Sequence, residues 1–291
     1  MIRWADVPDA VRLRPRLPDE LDGIASATAV RVPGTDARLA EHPAWSESAG
    51  GLIWVDIDAG VVHRTTPDGE TTTVFSSVGA VGAALPSPDG GLVVLAAEGA
   101  LAVPADGARP AVLGGPPETG FRFNDAALDP SGRVWAGVLP IEDPPPGGSP
   151  QGELWRLDDS GQWEVVLVGL GCPNGIAWSA DGRTLVFCES DTRRLAVADY
   201  EPASGEASNW RIEWEFDGSG DWVPDGLELR PDGRLWVAFW GLSRVVRFGV
   251  DGRPELWVAT ADAHTTSMTV DPHGNLWVTS AGGLWLARDL D

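Results

Sequence analysis

The chain has 291 residues, with 43 acidic and 21 basic side chains and a formal net charge of −22. That balance excludes a surface built to grip phosphate backbones, which needs clustered positive charge, and it disfavours docking on an anionic membrane leaflet. Every basic residue is arginine, so Schiff-base chemistry and a lysine general base are excluded as well.

An apolar share of 43% beside 22% charged residues fits a globular chain rather than a disordered one. No window approaches the roughly 18 uninterrupted apolar residues of a membrane span. The start, Met1-Ile2-Arg3-Trp4-Ala5-Asp6, lacks the basic and apolar run of a secretory signal. Two cysteines, Cys172 and Cys188, are too few for a disulfide scaffold. The default expectation is a cytoplasmic protein with a small-molecule partner and neither nucleic-acid nor membrane partners.

Residues 1–21 read as an N-terminal extension, and 22–291 as a single domain of short Val-, Trp- and Leu-rich strands separated by Gly- and Pro-rich turns. Six segments share a turn glycine followed by a short apolar strand. The glycines are Gly50, Gly90, Gly132, Gly182, Gly233 and Gly274, spaced by 40, 42, 50, 51 and 41 residues. Spacings of roughly 40 to 50 are those of four-stranded propeller blades. Trp135, Trp236 and Trp277 each follow their glycine by three residues, which predicts equivalent packing positions between blades. The Pro-rich stretch 142–150 reads as an inserted loop, because proline cannot donate to a ladder. The last repeat holds three strands, Thr266–Val270, Asn275–Thr279 and Gly283–Ala287. Its missing fourth is expected from Ser26–Val32, giving an all-β, six-bladed β-propeller closed by an N-terminal strand.

Counting back from the turn glycines exposes a second regularity. Asn124, Asn174 and Asp225 each lie eight residues before theirs, and Glu41 lies nine before Gly50. Aligning Trp45 with Trp178 puts Glu41 level with Asn174 and moves the extra residue into the turn. The same position holds Gly82 in the second repeat and Thr266 in the sixth. These residues should begin the innermost strands and converge on the central channel. Asn and Asp at strand starts also serve ordinary turn chemistry, but four oxygen-bearing side chains at matched depth point to a shared ligand. Two carboxylates meeting two amides, with no Cys or His among them, repel unless a cation sits between them. Hard oxygen donors favour Ca²⁺, or Mg²⁺ and Mn²⁺, over zinc.

Other catalytic patterns are missing. There is no Gly-x-Ser-x-Gly elbow. Gly169-Leu170-Gly171-Cys172-Pro173-Asn174 puts Asn where a dinucleotide fingerprint needs its last glycine. The four histidines make no zinc pattern. Cys188 should pair near Gly175, leaving Cys172 about three residues away along the strand, a poor offset for a disulfide.

The segments Glu41-His42-Pro43-Ala44-Trp45, Arg122-Phe123-Asn124-Asp125, Cys172-Pro173-Asn174-Gly175-Ile176 and Val223-Pro224-Asp225-Gly226-Leu227, together with the run 129–137, resemble the gluconolactonase / senescence marker protein / luciferin-regenerating enzyme family. The similarity runs from about Glu41 to the C-terminus. It implies a six-bladed propeller carrying one divalent metal ion, with calcium first and magnesium, manganese or zinc as alternatives, and sugar-lactone hydrolase activity. By the same resemblance Glu41, Asn174 and Asp225 match the metal ligands, and Asp225 also the catalytic acid/base. Arg122, Asn124 and Asp125 match the substrate-binding motif, and Glu142 falls at the spacing of a further substrate contact. The chain departs from the family at Gly137-Val138-Leu139, in place of Gly-Thr-Met, at His42, commonly glycine, and at Ala127, lysine in some members. Two other functions compete: a metal-dependent phosphotriesterase of the diisopropyl fluorophosphatase type, and a non-catalytic propeller that binds a partner across one face.

Overall fold

A computed structural model of the chain describes residues 1–115, 120–142, 145 and 148–290. Six sheets form it, each with four antiparallel strands and three with a fifth, parallel outer strand, and their innermost strands touch in the closed cycle one to six and back to one. Those strands are Ala40–Ser46, Val81–Pro86, Phe121–Leu128, Pro173–Trp178, Val223–Leu229 and Thr265–Val270. The architecture is the six-bladed β-propeller expected from the glycine spacing. Among the described residues helical structure is limited to two 3₁₀ turns, Trp4–Asp6 and Asp19–Leu21. No helix among them is long and apolar enough to cross a membrane. Most of the Pro-rich stretch, 143–144 and 146–147, lies outside the described residues.

The repeated tryptophans pack between blades. Trp135 is buried with Leu154 of blade three and Phe187 of blade four. Trp236 sits with Met268 and Leu276 across the interface of blades five and six, and Trp277 with Leu52 and Trp54 across that of six and one. A twisted sheet packed against its neighbour leaves a wedge that widens outward, and an indole fills it with one large apolar surface.

Ring closure uses the N-terminus and pairs it with Gly283–Ala287 as expected, but only Val30–Val32 of the expected stretch takes part. Val30–Asp36 pairs antiparallel with Gly283–Ala287, with Trp285 opposite Arg31 and Leu286 opposite Val30. Ala25–Thr28 instead runs parallel to Pro254–Ala259, on the outer edge of blade five. The apparent strand Ser26–Val32 is therefore split at Ala29, which is buried where the chain crosses from one blade to the next. Pro33-Gly34 reads as a strand breaker, yet it lies within the closing strand. An outermost strand has a free edge, where a missing donor and a positive φ at Gly34 cost little.

Residues 1–21 extend the same pattern. Ile2–Arg3 adds a parallel fifth strand to blade three and Asp9–Leu13 one to blade four. Each step of this belt sinks apolar side chains into an inter-blade core. Trp4 and Val7 enter the core between blades three and four, Leu17 and Leu21 that between four and five, and Val32 that between six and one. Three blades thus have their outer edges covered by parallel strands.

Leu17→Ala should lower the free energy of unfolding by about 2–5 kcal/mol, read by chemical denaturation, because Leu17 is fully buried. Removing residues 1–23 should lower Tm while leaving one cooperative transition. Removing 1–36 takes the closing strand and should abolish it; a protein lacking 1–36 with unchanged Tm would overturn this account of closure.

Candidate active site at the channel mouth

Each of the six innermost strands carries a register shift near its start. In blades one, three, four and five the shift falls between Glu41 and Ala44, Phe123 and Ala126, Pro173 and Ile176, and Pro224 and Leu227. In blades two and six it brackets Gly82 and Thr266. A bulge leaves residues outside the ladder and re-aims their side chains. Asn124, Asn174 and Asp225 are released in this way, while Glu41 is the last paired residue before the bulge of blade one, opposite Val55. The geometry demands special residues just after them. His42 has φ of +49°, a left-handed conformation suited to glycine. Gly175 and Gly226 have no room for a side chain, since a Cβ would fall 2.6 Å from the Leu227 backbone nitrogen or 2.2 Å from Ser267 Oγ.

The released side chains line a cavity of about 260 Å³, formed by Glu41, Arg122, Asn124, Asn174 and Asp225 with Cys172, Ser190, Trp240 and Thr266 among others. A hydrogen-bonded chain crosses its floor. Arg122 Nη1 donates to Asn124 Oδ1 (2.8 Å) and to the Phe123 carbonyl (3.0 Å). Asn124 Nδ2 donates to Asn174 Oδ1 (2.8 Å) and the Pro173 carbonyl (3.0 Å). Asn174 Nδ2 in turn donates to Ser190 Oγ (2.9 Å). The chain points the Asn174 oxygen toward Asn124 and leaves it a second lone pair.

The two acids are treated differently. A Glu41 oxygen accepts the His42 backbone N–H, whereas Asp225 Oδ1 is buried with no hydrogen-bond partner. Both residues are only 6% exposed. Burial pushes the Glu41 carboxyl well above its usual range, and the charges of Asp225 and Asp125 push it further; Arg122 works weakly against them. Burial and Asp125 push the Asp225 carboxyl up in the same way. Burial also lowers the pKa of the Arg122 guanidinium and raises that of the Cys172 thiol. The site is thus a desolvated pair of acids beside an orphaned carboxylate oxygen and an available amide oxygen. Those hard oxygen donors fit a divalent cation of the calcium type. They number two carboxylates rather than three, and among the described residues no group of three His, Cys, Asp or Glu side chains is arranged as a metal cluster.

The structure does not bring all the sequence-derived site residues to this cavity. Asp125 lines a separate cavity of about 410 Å³ on the other side of the inner ring, with His42, whose Nε2 lies 3.7 Å from Asp125 Oδ1. Its carboxyl is raised by burial, against the opposing pull of His42. Glu142 is exposed and does not line the cavity. Cys172 and Cys188 are both free thiols. The sequence reading missed Ile57, Ser190 and Trp240. They lie seven or eight residues past the turn glycines, at the end of each second strand. An antiparallel hairpin returns that end to the level where the first strand starts, so the same counting carried forward from Gly50, Gly182 and Gly233 would have found them.

Residues 39–282 match the SMP-30/Gluconolactonase/LRE-like region, an interval that takes in the innermost strand of every blade. An L-arabinolactonase of Azospirillum brasilense is 34% identical over 247 residues, covering 84% of this chain and 81% of its own. A pentonolactonase of Haloferax volcanii is 30% identical over 264 residues, covering 88% and 86%. The fold is shared with a luciferin-regenerating enzyme (TM-score 0.78, 24% identity, 88% of this chain and 93% of that one). It is shared also with regucalcin of Agrobacterium tumefaciens, described as a calcium-binding protein (TM-score 0.80, 20% identity, 91% and 94%). The chain belongs to the SMP-30/gluconolactonase/LRE-like family.

Proposed function

We propose that this protein is a divalent-cation-dependent lactonase that opens sugar lactones by attack of water. The observation that carries the reading is the buried, partnerless Asp225 Oδ1 beside a second desolvated acid, Glu41, and the amide oxygen of Asn174. Such a set is costly unless neutralised, because each buried unpaired charge costs several kcal/mol. The lactonase relatives support the substrate class, and the calcium-binding relative supports the ion. Glu41, Asn174 and Asp225 would hold the cation, calcium before magnesium, manganese or zinc.

When bound, such a cation supplies Lewis-acid polarisation of a carbonyl oxygen. The remaining work falls to side chains. Asp225, with its orphaned oxygen in the cavity, takes the proton of the attacking water and returns one to the ring oxygen as the ester bond breaks. Arg122 holds hydroxyl or carboxylate oxygens with its planar fork, and the Asn124 carbonyl keeps that fork in place. Asn124 also orients Asn174. The apolar share of the wall, from Leu39, Ile57, Val223 and Trp240, limits water around the reacting ester. Asp125 would act at a distance, through its charge on Glu41 and Asp225.

A panel of sugar lactones assayed by acid release, with chelator and with each cation restored, tests the reading directly. Activity that survives exhaustive chelation would refute the cation requirement. Asp225→Asn should depress kcat by at least about 10²-fold, the loss expected for a missing general base. Arg122→Ala should raise KM more than it lowers kcat, and Arg122→Lys should not restore it, because a point charge cannot reproduce the fork.

The raised acids also make a prediction about pH. A carboxyl whose folded pKa lies above its unfolded value contributes stability below the unfolded value, near 4 for these residues, and loses it as pH rises through the folded value. In chelator, Tm should therefore fall as pH rises from acid toward neutral. Calcium should flatten that slope, and Glu41→Gln should flatten it without calcium. Cation binding should also release protons, measurable by calorimetry in buffers of different ionisation enthalpy. An unchanged slope in Glu41→Gln would show that these acids are not the source.

A further inference from the structure

The cavity lining is mixed. Arg122, Asn124 and Ser190 bring polar groups from blades three and four, while blades one and five supply the acids Glu41 and Asp225 together with the apolar surface of Leu39, Ile57, Val223 and Trp240. Trp240 is its aromatic lining among the described residues. Trp54, Trp135, Trp222 and Trp277 are fully buried in the blades, whereas Trp240 is half-buried and lines the cavity.

The indole is held in place. Trp240 pairs with Val223 in the ladder, at the start of the strand that carries Asp225. It stacks on His264 with ring centroids 4.1 Å apart and planes 19° from parallel. Backbone bridges pin the loop beneath: Trp240 to His264, and the Gly241 and Ser243 N–H groups to the Ala263 carbonyl (2.9 and 3.2 Å). Asp262 Oδ1 accepts the His264 N–H (3.0 Å). An imidazole occupies one face of the ring, so the opposite face is the one left for a ligand. A flat, rigid aromatic surface loses little entropy on binding and suits the C–H face of a small saturated ring, whose oxygens then turn to the polar side.

We propose that Trp240, backed by His264, is the specificity platform of this site. It stacks on the C–H face of the lactone ring, and Arg122 and Asn124 read the hydroxylated edge. The substrate class is then a compact, polyhydroxylated lactone with one unsubstituted ring face, and lactones carrying a bulky substituent on that face are rejected. The inference rests on the lactonase reading for its ligand, but the platform itself can be tested by binding alone.

The test uses a polyhydroxylated five-membered lactam, which resists hydrolysis, as a calorimetric probe of the calcium-loaded protein, alongside lactone kinetics. Trp240→Ala should weaken lactam binding and raise lactone KM, each by about tenfold and by more than any fall in kcat. Trp240→Phe should recover most of both, because it restores a flat apolar ring. A structural role would not produce this split with rescue. Unchanged lactam affinity in Trp240→Ala, or a loss confined to kcat, would overturn the proposal, as would a wild-type protein that does not bind the lactam. A wild type that binds the lactam in a Trp240-dependent way but hydrolyses no lactone would uphold the platform and refute the lactonase reading.

Discussion

Desolvation of acids buried at the axis of the ring, with the added repulsion of their neighbours, is the constraint on which the site depends. Glu41 and Asp225 come from blades one and five, far apart in sequence, and are forced together in a desolvated cavity with Asp125 just beyond. Water would separate such groups, so the scaffold must hold them against both desolvation and mutual charge. Arg122 is the nearest compensating charge, and its own burial disfavours its protonated form. The imbalance is the physical ground for the proposed cation requirement, and strain of this kind persists only where surrounding structure over-determines it.

That surrounding structure is the closed ring. Inter-blade cores dominated by tryptophan, phenylalanine and leucine leave the innermost strands no freedom to splay. The N-terminal belt adds to this by tying blades three to six together along their outer edges, with a buried anchor at each crossing. A polar network does similar work lower in the fold. Arg133, nearly buried, binds Asp129 (3.0 Å) and Asp159 (2.8 Å) and donates to the Pro202 and Ala203 carbonyls, joining blade three to the far turn of blade four. With no lysine in the chain, such multivalent links all fall to arginine, whose fork can satisfy several acceptors at once.

Function and strain meet at the bulges. A regular ladder would send successive side chains alternately to either face, and none would point along the channel. By dropping residues out of register at the same level, the inner strands turn Asn124, Asn174 and Asp225 toward the cavity that Glu41, at the edge of its own bulge, also lines, and they leave His42, Gly175 and Gly226 in confined positions. Gly175 and Gly226 answer that confinement with no side chain, and His42 answers it with a left-handed φ. The departure of His42 from the family pattern is therefore accommodated by the backbone. Its ring occupies the second cavity beside Asp125.

What could be read from the chain alone was whatever repeats. The turn glycines spaced the blades, the tryptophans three residues later marked the packing between them, and the count back from each glycine found the residues at the inner ring. These are local, periodic constraints, and a linear sequence records them directly. The rest depended on where the chain crosses from one blade to the next. Ser26–Val32 looks like a single strand, but Ala29 must be buried at a crossing, so the closing strand begins at Val30 and the preceding residues belong to blade five. Asp125 follows Asn124 directly in the motif, yet the bulge sends its side chain to the other side of the ring. Glu142 sits at a suggestive spacing, but its loop carries it into solvent. Trp240 lies at the forward-counted position past Gly233, but only the hairpin's return shows that this position reaches the mouth of the channel. The sequence by itself determined the number of blades and the depth of the site. Only the tertiary structure decided which way each side chain faces, because that depends on register shifts and blade crossings set by packing between segments far apart in the chain.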